Sequence, residues 1–211
     1  MTSEHIDTEL LASTLAAKYK ALPQPALSTY LDEIVNWNNR VALVSRRSTK
    51  SVVERLVGQS VGLWELVSAH SDVPPSSYVD VGTGAGFPGI IWKMLAPDST
   101  GLLVERREKK ATFLDRVVRV LGFSDIEVYS GDARDASRMS GWVASFELAT
   151  TLAVASPGET IPLVRPFLSP GGRFVTTVGS STPVPDEAAG MRLLRSQPHR
   201  GGTLAVYAGP E

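Results

Sequence analysis

The sequence contains no cysteine, and this absence excludes several kinds of chemistry at once. Without thiols there can be no disulfide, no thiolate metal ligand and no cysteine nucleophile. Histidine is also scarce, with only His5, His70 and His199 in 211 residues, and their wide spacing forms no ligand pattern. We therefore expect no metal site.

Long apolar runs are also missing. The N-terminal segment lacks a basic start and a long apolar stretch, and no window approaches the roughly 18 apolar residues of a membrane helix. Charged residues make up 20% of the chain and the net charge is -1, so any nucleic-acid surface must be local. These features predict a globular, cytoplasmic protein without a membrane partner.

Helical periodicity dominates the first part of the chain. Apolar residues recur at helical spacing over 8–21, 26–44 and 51–69. The segment LPQP separates the first two stretches, and the turn-forming segment HSDVPPSS follows the third. The pattern predicts an N-terminal helical region over 1–75 and a second domain over 76–211.

Short β-type runs alternate with helical ones in the second part. The runs lie at 78–81, 101–105, 126–129, 146–152 and 173–178, which favours a mostly parallel, doubly wound α/β sheet. The segment GMRLLRSQPHRGGTLAVYAG adds two β-type runs around a PHRGG turn. This arrangement is typical of a hairpin, so we expect antiparallel strands to close the sheet.

The segment YVDVGTGAGFPGI, over 78–90, places four glycines within eight positions directly after the first β-type run. A strand, a glycine-rich turn and a helix form the usual site of a nucleotide-type cofactor, because glycine lets the backbone approach a ligand closely. Asp80 precedes the first glycine, where its carboxylate could organise the loop or reach a cationic ligand. Pro88 lies close to the first helical turn, so we expect the helix to begin with free amides.

Two cofactors fit this loop. Gly84, Gly86 and Gly89 have the Gly-x-Gly-x-x-Gly spacing of a dinucleotide site. The acidic-x-Gly-x-Gly-x-Gly pattern of S-adenosylmethionine (AdoMet) enzymes is also present, at Asp80, Gly82, Gly84 and Gly86. The loop alone leaves both possibilities open.

Two acidic residues at later strand ends help to separate the cofactors. Glu105 ends the second β-type run, where a carboxylate can accept hydrogen bonds from both ribose hydroxyls of an adenosine. Asp132 follows the third run, where a carboxylate could accept a hydrogen bond from an adenine amino group. Together with the terminal hairpin, these residues favour AdoMet.

The same segments resemble the RsmG/GidB family of bacterial methyltransferases, which modify guanine N7 in small-subunit ribosomal RNA. DVGTGAGFPGI is similar to that family's cofactor loop, and FLDRVVRVLGFSDIEVYSGDAR is similar to the helix and strand that follow. LDEIVNWNNRVALVSRR resembles its helical N-terminal segment. The resemblance implies a Rossmann-like class I AdoMet-dependent methyltransferase fold, with an N-terminal helical extension beside a seven-stranded sheet that ends in an antiparallel hairpin.

The resemblance also implies individual cofactor contacts. Gly82 and Phe87 would touch AdoMet, as would Ala133 and Arg134 after the third strand, and Glu105 would hold the ribose. The predicted cofactor residues are then Asp80, Gly82, Gly84, Gly86, Phe87, Glu105, Asp132, Ala133 and Arg134. The implied activity is methyl transfer to guanine N7 of 16S-type ribosomal RNA, free or in the small ribosomal subunit. The sequence does not set the oligomeric state, and we favour a monomer.

The chain departs from the family pattern at polar positions. An arginine expected near the end of the fourth strand aligns with Leu152, and a lysine expected after the fifth aligns with Val178. Three alternatives therefore stay open. They are an AdoMet-fold homologue with an altered small-molecule or RNA substrate, a non-catalytic binding protein, and a dinucleotide-dependent oxidoreductase.

The chemistry of N7 methylation suits a sequence with no obvious general base. Guanine N7 carries an in-plane lone pair and no proton, so positioning and electrostatics suffice, and we assign no catalytic residue. An RNA substrate does need cations for its phosphates. The segment RRSTK combines cations and hydroxyls in one loop-like stretch, which makes Arg46, Arg47 and Lys50 the candidate RNA contacts.

Overall fold

Three helices precede alternating strands and helices in the computed structural model, which describes residues 6–45, 48–69, 74–152 and 155–209. The helices are α1 (Thr8–Lys18), α2 (Gln24–Asn38), α3 (Thr49–Ser68), α4 (Gly89–Leu95), α5 (Glu108–Val120), α6 (Ala133–Ala136) and α7 (Pro157–Val164). The strands are β1 (Ser77–Val81), β2 (Thr100–Glu105), β3 (Ile126–Ser130), β4 (Phe146–Thr151), β5 (Leu168–Gly179), β6 (Glu187–Ala188), β7 (Met191–His199) and β8 (Gly202–Ala208).

Helix α2 ends at Asn38, earlier than the apolar pattern over 26–44 predicts. The Asn38 side chain is buried, and its Oδ1 accepts hydrogen bonds from the backbone N–H groups of Leu43 (2.9 Å) and Val44 (3.1 Å). Its Nδ2 lies 3.5 Å from Oγ1 of Thr49, the first residue of α3. These bonds offer the backbone an alternative to the helix, and they form the turn that leads into α3.

The eight strands form one sheet in the order β3-β2-β1-β4-β5-β8-β7-β6. Strands β1 to β5 are parallel, whereas β8 runs antiparallel between β5 and β7. The five predicted runs and the terminal hairpin are all present. The two-residue β6 adds a further strand at the edge beside β7, and β5 begins at residue 168, before its predicted start at 173.

Helices cover both faces of the sheet and enclose two apolar clusters. Tyr78 and Leu148 belong to the cluster that joins the sheet to α1–α5, and their neighbours Val79 and Ala149 belong to the one that includes α6 and α7. This alternation is expected because successive strand residues point to opposite faces. No helix in the described ranges combines the length and apolarity needed to cross a lipid bilayer.

Helix α2 is fixed to the rest of the structure by two polar contacts. The hydroxyl of Tyr30 donates a hydrogen bond to the carbonyl oxygen of Ala85, in the loop after β1, over 2.6 Å. Arg116 of α5 donates two hydrogen bonds to the carboxylate of Glu33, of 2.6 and 2.8 Å. The fork geometry of arginine makes this bidentate pair directionally specific.

Aromatic contacts join α2 and α3 to α5 and α4, two helices that pack on the sheet. The ring of Trp37 lies 5.8 Å from that of Phe113, and the ring of Trp64 lies 5.8 Å from that of Trp92. Such pairs add stability beyond the apolar area that they bury. The helical region shares one core with the sheet, and the domain boundary near residue 75 stays a prediction, since residues 70–73 lie outside the described ranges.

The shared core can be tested with two leucines of the N-terminal helices. Leu27 is 0% exposed and Leu10 is 61% exposed. We expect Leu27→Ala to lower the free energy of unfolding by about 2–5 kcal/mol, because it leaves a cavity in the common cluster. The control Leu10→Ala should change it by less than about 0.5 kcal/mol. Urea titrations followed by circular dichroism and tryptophan fluorescence measure both, and two separate transitions in Leu27→Ala would contradict a shared core.

Candidate cofactor site

A cavity of about 500 Å³ opens at the carboxyl ends of β1, β2 and β3. It lies beside the point between β1 and β4 where the strand order reverses, which is where open α/β sheets bind ligands. Its lining includes Gly82, Gly84, Glu105, Asp132, Ala133 and Arg134. A larger cavity of about 850 Å³ lies at the amino ends of the strands, and none of the predicted cofactor residues lines it.

Three glycines of the loop after β1 adopt left-handed backbone conformations, with φ of 72° at Gly82, 63° at Gly84 and 98° at Gly86. A Cβ at Gly86 would lie 2.7 Å from Cγ1 of Ile90 and 3.0 Å from the hydroxyl of Tyr30. A Cβ at Gly84 would have no neighbour closer than 3.8 Å. Gly86 therefore lets the loop pack against α2 and α4, whereas Gly84 leaves space on the cavity side.

Asp80 is fully buried beneath the loop and holds its two ends together. Its Oδ2 accepts hydrogen bonds from Oγ1 of Thr83 (2.7 Å) and from the N–H of Gly89 (2.9 Å), the first residue of α4. Burial raises the pKa of Asp80 to about 7, with a smaller increase from the charge of Glu105, although the bonds from Thr83 and Gly89 lower it. Asp80 thus has the loop-organising role, one of the two predicted for it.

The same bond corrects an expectation about α4. The position of Pro88 led us to expect free backbone N–H groups at the start of α4. The N–H of Gly89 is instead bonded, because it donates to Asp80. The start of α4 is therefore bonded to the protein's own carboxylate at this position.

Glu105 ends β2 and is only 6% exposed. Its Oε2 accepts a hydrogen bond from the N–H of Gly84 (3.0 Å), and its Oε1 accepts one from the N–H of Arg107 (2.8 Å). An ionised carboxylate has about four acceptor positions, so about two are left for a ligand. Glu105 connects the loops after β1 and β2 and can still accept hydrogen bonds from the cavity.

The loop after β3 supplies another wall of the cavity. Oδ1 of Asp132 accepts a hydrogen bond from the N–H of Arg134 (2.8 Å), which caps α6, and Oδ2 lies 3.6 Å from Nη1 of the same arginine. The side chains of Asp132 and Arg134 are 43% and 70% exposed. An ion pair this exposed is weak, so both groups can turn towards a ligand.

Three of the predicted cofactor residues, Asp80, Gly86 and Phe87, do not line the cavity. Asp80 and Gly86 have the contacts described above, and Phe87 is buried with its ring 5.4 Å from that of Tyr30. Their assignment as direct cofactor ligands stays a prediction.

Lys110 also lines the cavity, although the cofactor pattern gives no sign of it. It lies in the first turn of α5, where burial lowers its pKa, the charge of Glu105 raises it and that of Arg107 lowers it. The available signal is its position five residues after Glu105, at the start of the helix that follows β2. Arg106 and Arg107 also line the cavity, because they directly follow Glu105 at the end of β2.

Of the candidate RNA contacts, Lys50 does not line this cavity. Arg46 and Arg47 fall outside the described residues, and Lys50 is exposed in the first turn of α3. Within the described ranges, no three acidic or histidine side chains lie close enough to hold a metal ion together.

Residues 23–188 match the model of the GidB family, described as rRNA small subunit methyltransferase G. Curated relatives with the name Ribosomal RNA small subunit methyltransferase G include proteins of Desulfitobacterium hafniense (31% identical over 72% of this chain) and Roseiflexus castenholzii (33% over 78%). The matched region spans 62% of the first relative and 68% of the second.

Solved structures with the same fold include a methyltransferase from Geobacter sulfurreducens, with a TM-score of 0.57, 14% identity and coverage of 94% of this chain and 96% of that one. Cofactor-bound Rv0187 from MTB has a TM-score of 0.60 at 15% identity, with coverage of 97% and 98%. At these identities the likeness concerns the fold alone, which is the predicted methyltransferase fold.

The buried carboxyl of Asp80 should make stability depend on pH. Its pKa is about 7 in the folded state against 3.8 as the ordinary value, so the folded state binds the proton more tightly. The contribution of this carboxyl to the free energy of unfolding is fully present below about pH 4. It is lost as the pH rises through about 7, and the loss is on the order of 4 kcal/mol. Asp80→Asn keeps an acceptor for Thr83 and Gly89 but removes the titration.

We therefore expect the unfolding free energy of Asp80→Asn to decline less between pH 4 and 7 than that of the unsubstituted protein. Urea titrations at several pH values measure the difference between the two profiles. Asp98→Asn provides the matched control, because it makes the same change at an exposed carboxyl outside the glycine loop. Parallel profiles for Asp80→Asn and the unsubstituted protein would show that Asp80 does not titrate in this range.

Proposed function

The chain belongs to the GidB family of rRNA small subunit methyltransferases, and on that premise we propose that it transfers a methyl group from AdoMet to guanine N7 of small-subunit ribosomal RNA. The observation that carries the proposal is the meeting of the glycine loop, Glu105 and the 132–134 loop around one cavity. Six of the nine predicted cofactor residues line this cavity, which supports the proposal.

The residues of the cavity fit the parts of AdoMet. Glu105 would accept hydrogen bonds from the ribose hydroxyls, and Asp132 would accept one from the adenine amino group, with Ala133 and Arg134 beside the ring. Gly82 and Gly84 would let the backbone approach the cofactor, since neither has a Cβ. Asp80, Gly86 and Phe87 would contribute by holding the loop in this shape.

The chemistry that this arrangement must support is simple. AdoMet supplies an activated methyl group on a sulfonium, and guanine N7 supplies a lone pair in the plane of its ring. Transfer would join N7 to the methyl carbon, and the electrons of the broken carbon–sulfur bond would stay on sulfur. The protein must align the two partners and exclude water, and it needs no general base.

A second candidate function keeps the cofactor but changes the acceptor. Leu152 is 8% exposed and Val178 is 3% exposed, and both belong to the apolar clusters. These are the positions at which the family resemblance leads us to expect an arginine and a lysine. Apolar packing there favours a homologue with a different RNA or small-molecule acceptor, or one that binds without transfer.

Cofactor binding can be tested by Gly84→Asp. We expect this change to weaken AdoMet binding at least about hundredfold, because it places a side chain on a left-handed backbone and a second carboxylate beside Glu105. Gly141→Asp is the matched control, since a Cβ at Gly141 has nothing within 4 Å. Calorimetric titration with AdoMet, its demethylated product and NAD measures the affinities, and tight AdoMet binding by Gly84→Asp would place the site elsewhere.

Transfer of a tritiated methyl group to small-subunit ribosomal RNA then separates the two candidate functions. Labelled RNA with the methyl group at a guanine N7 supports the first. AdoMet binding without labelled RNA favours an altered acceptor or a binding role, and preference for NAD would contradict both.

A further inference from the structure

We propose that a second cavity, at the carboxyl ends of β4 and β5, binds a backbone phosphate of the RNA substrate, and that Arg55 is the cation that holds it. This inference rests on the proposed function, because it gives the acceptor strand a docking point beside the methyl donor.

The second cavity has a volume of about 270 Å³. Its walls come from α3, from the 155–157 segment after β4, from the last residues of β5 and from the turn between β7 and β8. It opens at the same edge of the sheet as the cofactor cavity. Strands β1 and β5 are two positions apart, so their carboxyl ends are about 10 Å apart across the sheet. An RNA strand held here would bring a neighbouring base to the methyl group.

Arg55 is the only charged side chain that lines this cavity among the described residues. Its Nη1 donates a hydrogen bond of 3.0 Å to Oε1 of Gln59, one helical turn further along α3, and Gln59 is buried. Glutamine orients the guanidinium but leaves its charge uncompensated. The ion pairs formed by the described residues use other cations, namely Lys93, Arg116, Arg134 and Arg138.

The remaining lining suits an anion. Ser156 and Pro157 bring the N-terminus of α7 to the cavity, where the carboxylate of Glu159 already compensates the partial positive charge of the helix end, so Arg55 is the main attraction for an anion. Thr177 and Thr182 supply hydroxyl groups. Glu159 is near in sequence but does not line the cavity, and its Oε2 accepts hydrogen bonds from the N–H (3.1 Å) and hydroxyl (2.6 Å) of Ser156.

A phosphate fits this environment better than the methylated base itself. Methylation at N7 leaves a positive charge on the guanine ring, which an adjacent guanidinium would oppose. A phosphate keeps its negative charge throughout the reaction, and arginine offers it a matching fork of donors. The small volume also suits one group of the RNA backbone better than a drug-sized ligand.

The turn between β7 and β8 keeps room for the arginine side chain. Gly201 has φ of 92°, and a Cβ there would lie 3.6 Å from Cδ of Arg55. The turn thus packs along the side-chain stem and leaves the guanidinium in the cavity.

The test is direct binding of a transcript of small-subunit ribosomal RNA, in the presence of the demethylated cofactor, over roughly 50 to 200 mM salt. We expect Arg55→Gln to weaken RNA binding about tenfold or more and to lower the slope of log affinity against log salt by about one. Arg55→Lys should keep the slope and lose less affinity, because the charge remains without the fork. The exposed Arg119 supplies the matched control, since Arg119→Gln removes the same charge far from the cavity and should change neither quantity.

Three results would overturn the inference: no RNA binding by the unsubstituted protein, an unchanged affinity and slope in Arg55→Gln, or a weaker affinity with an unchanged slope. A failure of the proposed function looks different. RNA binding that depends on Arg55, without methyl transfer to the RNA, would leave the inference standing and reject the activity. Calorimetry with AdoMet provides a further check, because Arg55→Gln should bind the cofactor as the unsubstituted protein does.

Discussion

The carboxyl of Asp80 is the contact on which the candidate site depends. It lies under the glycine loop and bonds both to Thr83 within the loop and to Gly89 at the start of α4. These two bonds fix the path of the backbone between β1 and α4, and that path brings the N–H of Gly84 to Glu105. Burial of the carboxyl disfavours its charged form, so the site's geometry is obtained at a cost in stability near neutral pH.

The N-terminal helices contribute to the site as well as to the fold. Tyr30 bonds to the loop from one side, so α2 supports the same segment that Asp80 holds from beneath. Arg55 of α3 reaches the neighbouring cavity at the ends of β4 and β5. The second cavity therefore combines the sheet edge with the helical region, whereas α2 supports the first cavity only through the loop after β1.

Periodicity and glycine spacing predict most of this architecture, because they report which residues are buried and where the backbone must turn. The five parallel strands, the terminal hairpin and the position of the glycine loop follow from such local patterns. The end of α2 does not, since it depends on a buried Asn38 that bonds to residues beyond the helix. The second cavity is equally hidden, because it brings together Arg55, Ser156, Gly179 and Gly201 from distant parts of the chain. Lys110 enters the first cavity through the orientation of α5, and its position five residues after Glu105 is the one sequence signal for it.

The place of β8 in the sheet has a consequence for synthesis on the ribosome. Residues 202–208 pair with β5 on one side and with β7 on the other, so they lie inside the sheet although they come late in the chain. Until they emerge, one edge of β5 has no partner, and the apolar face around Phe174 is incompletely covered. Unpaired strand edges and exposed apolar faces promote aggregation, so the nascent chain passes through a vulnerable interval that ends when β8 is inserted.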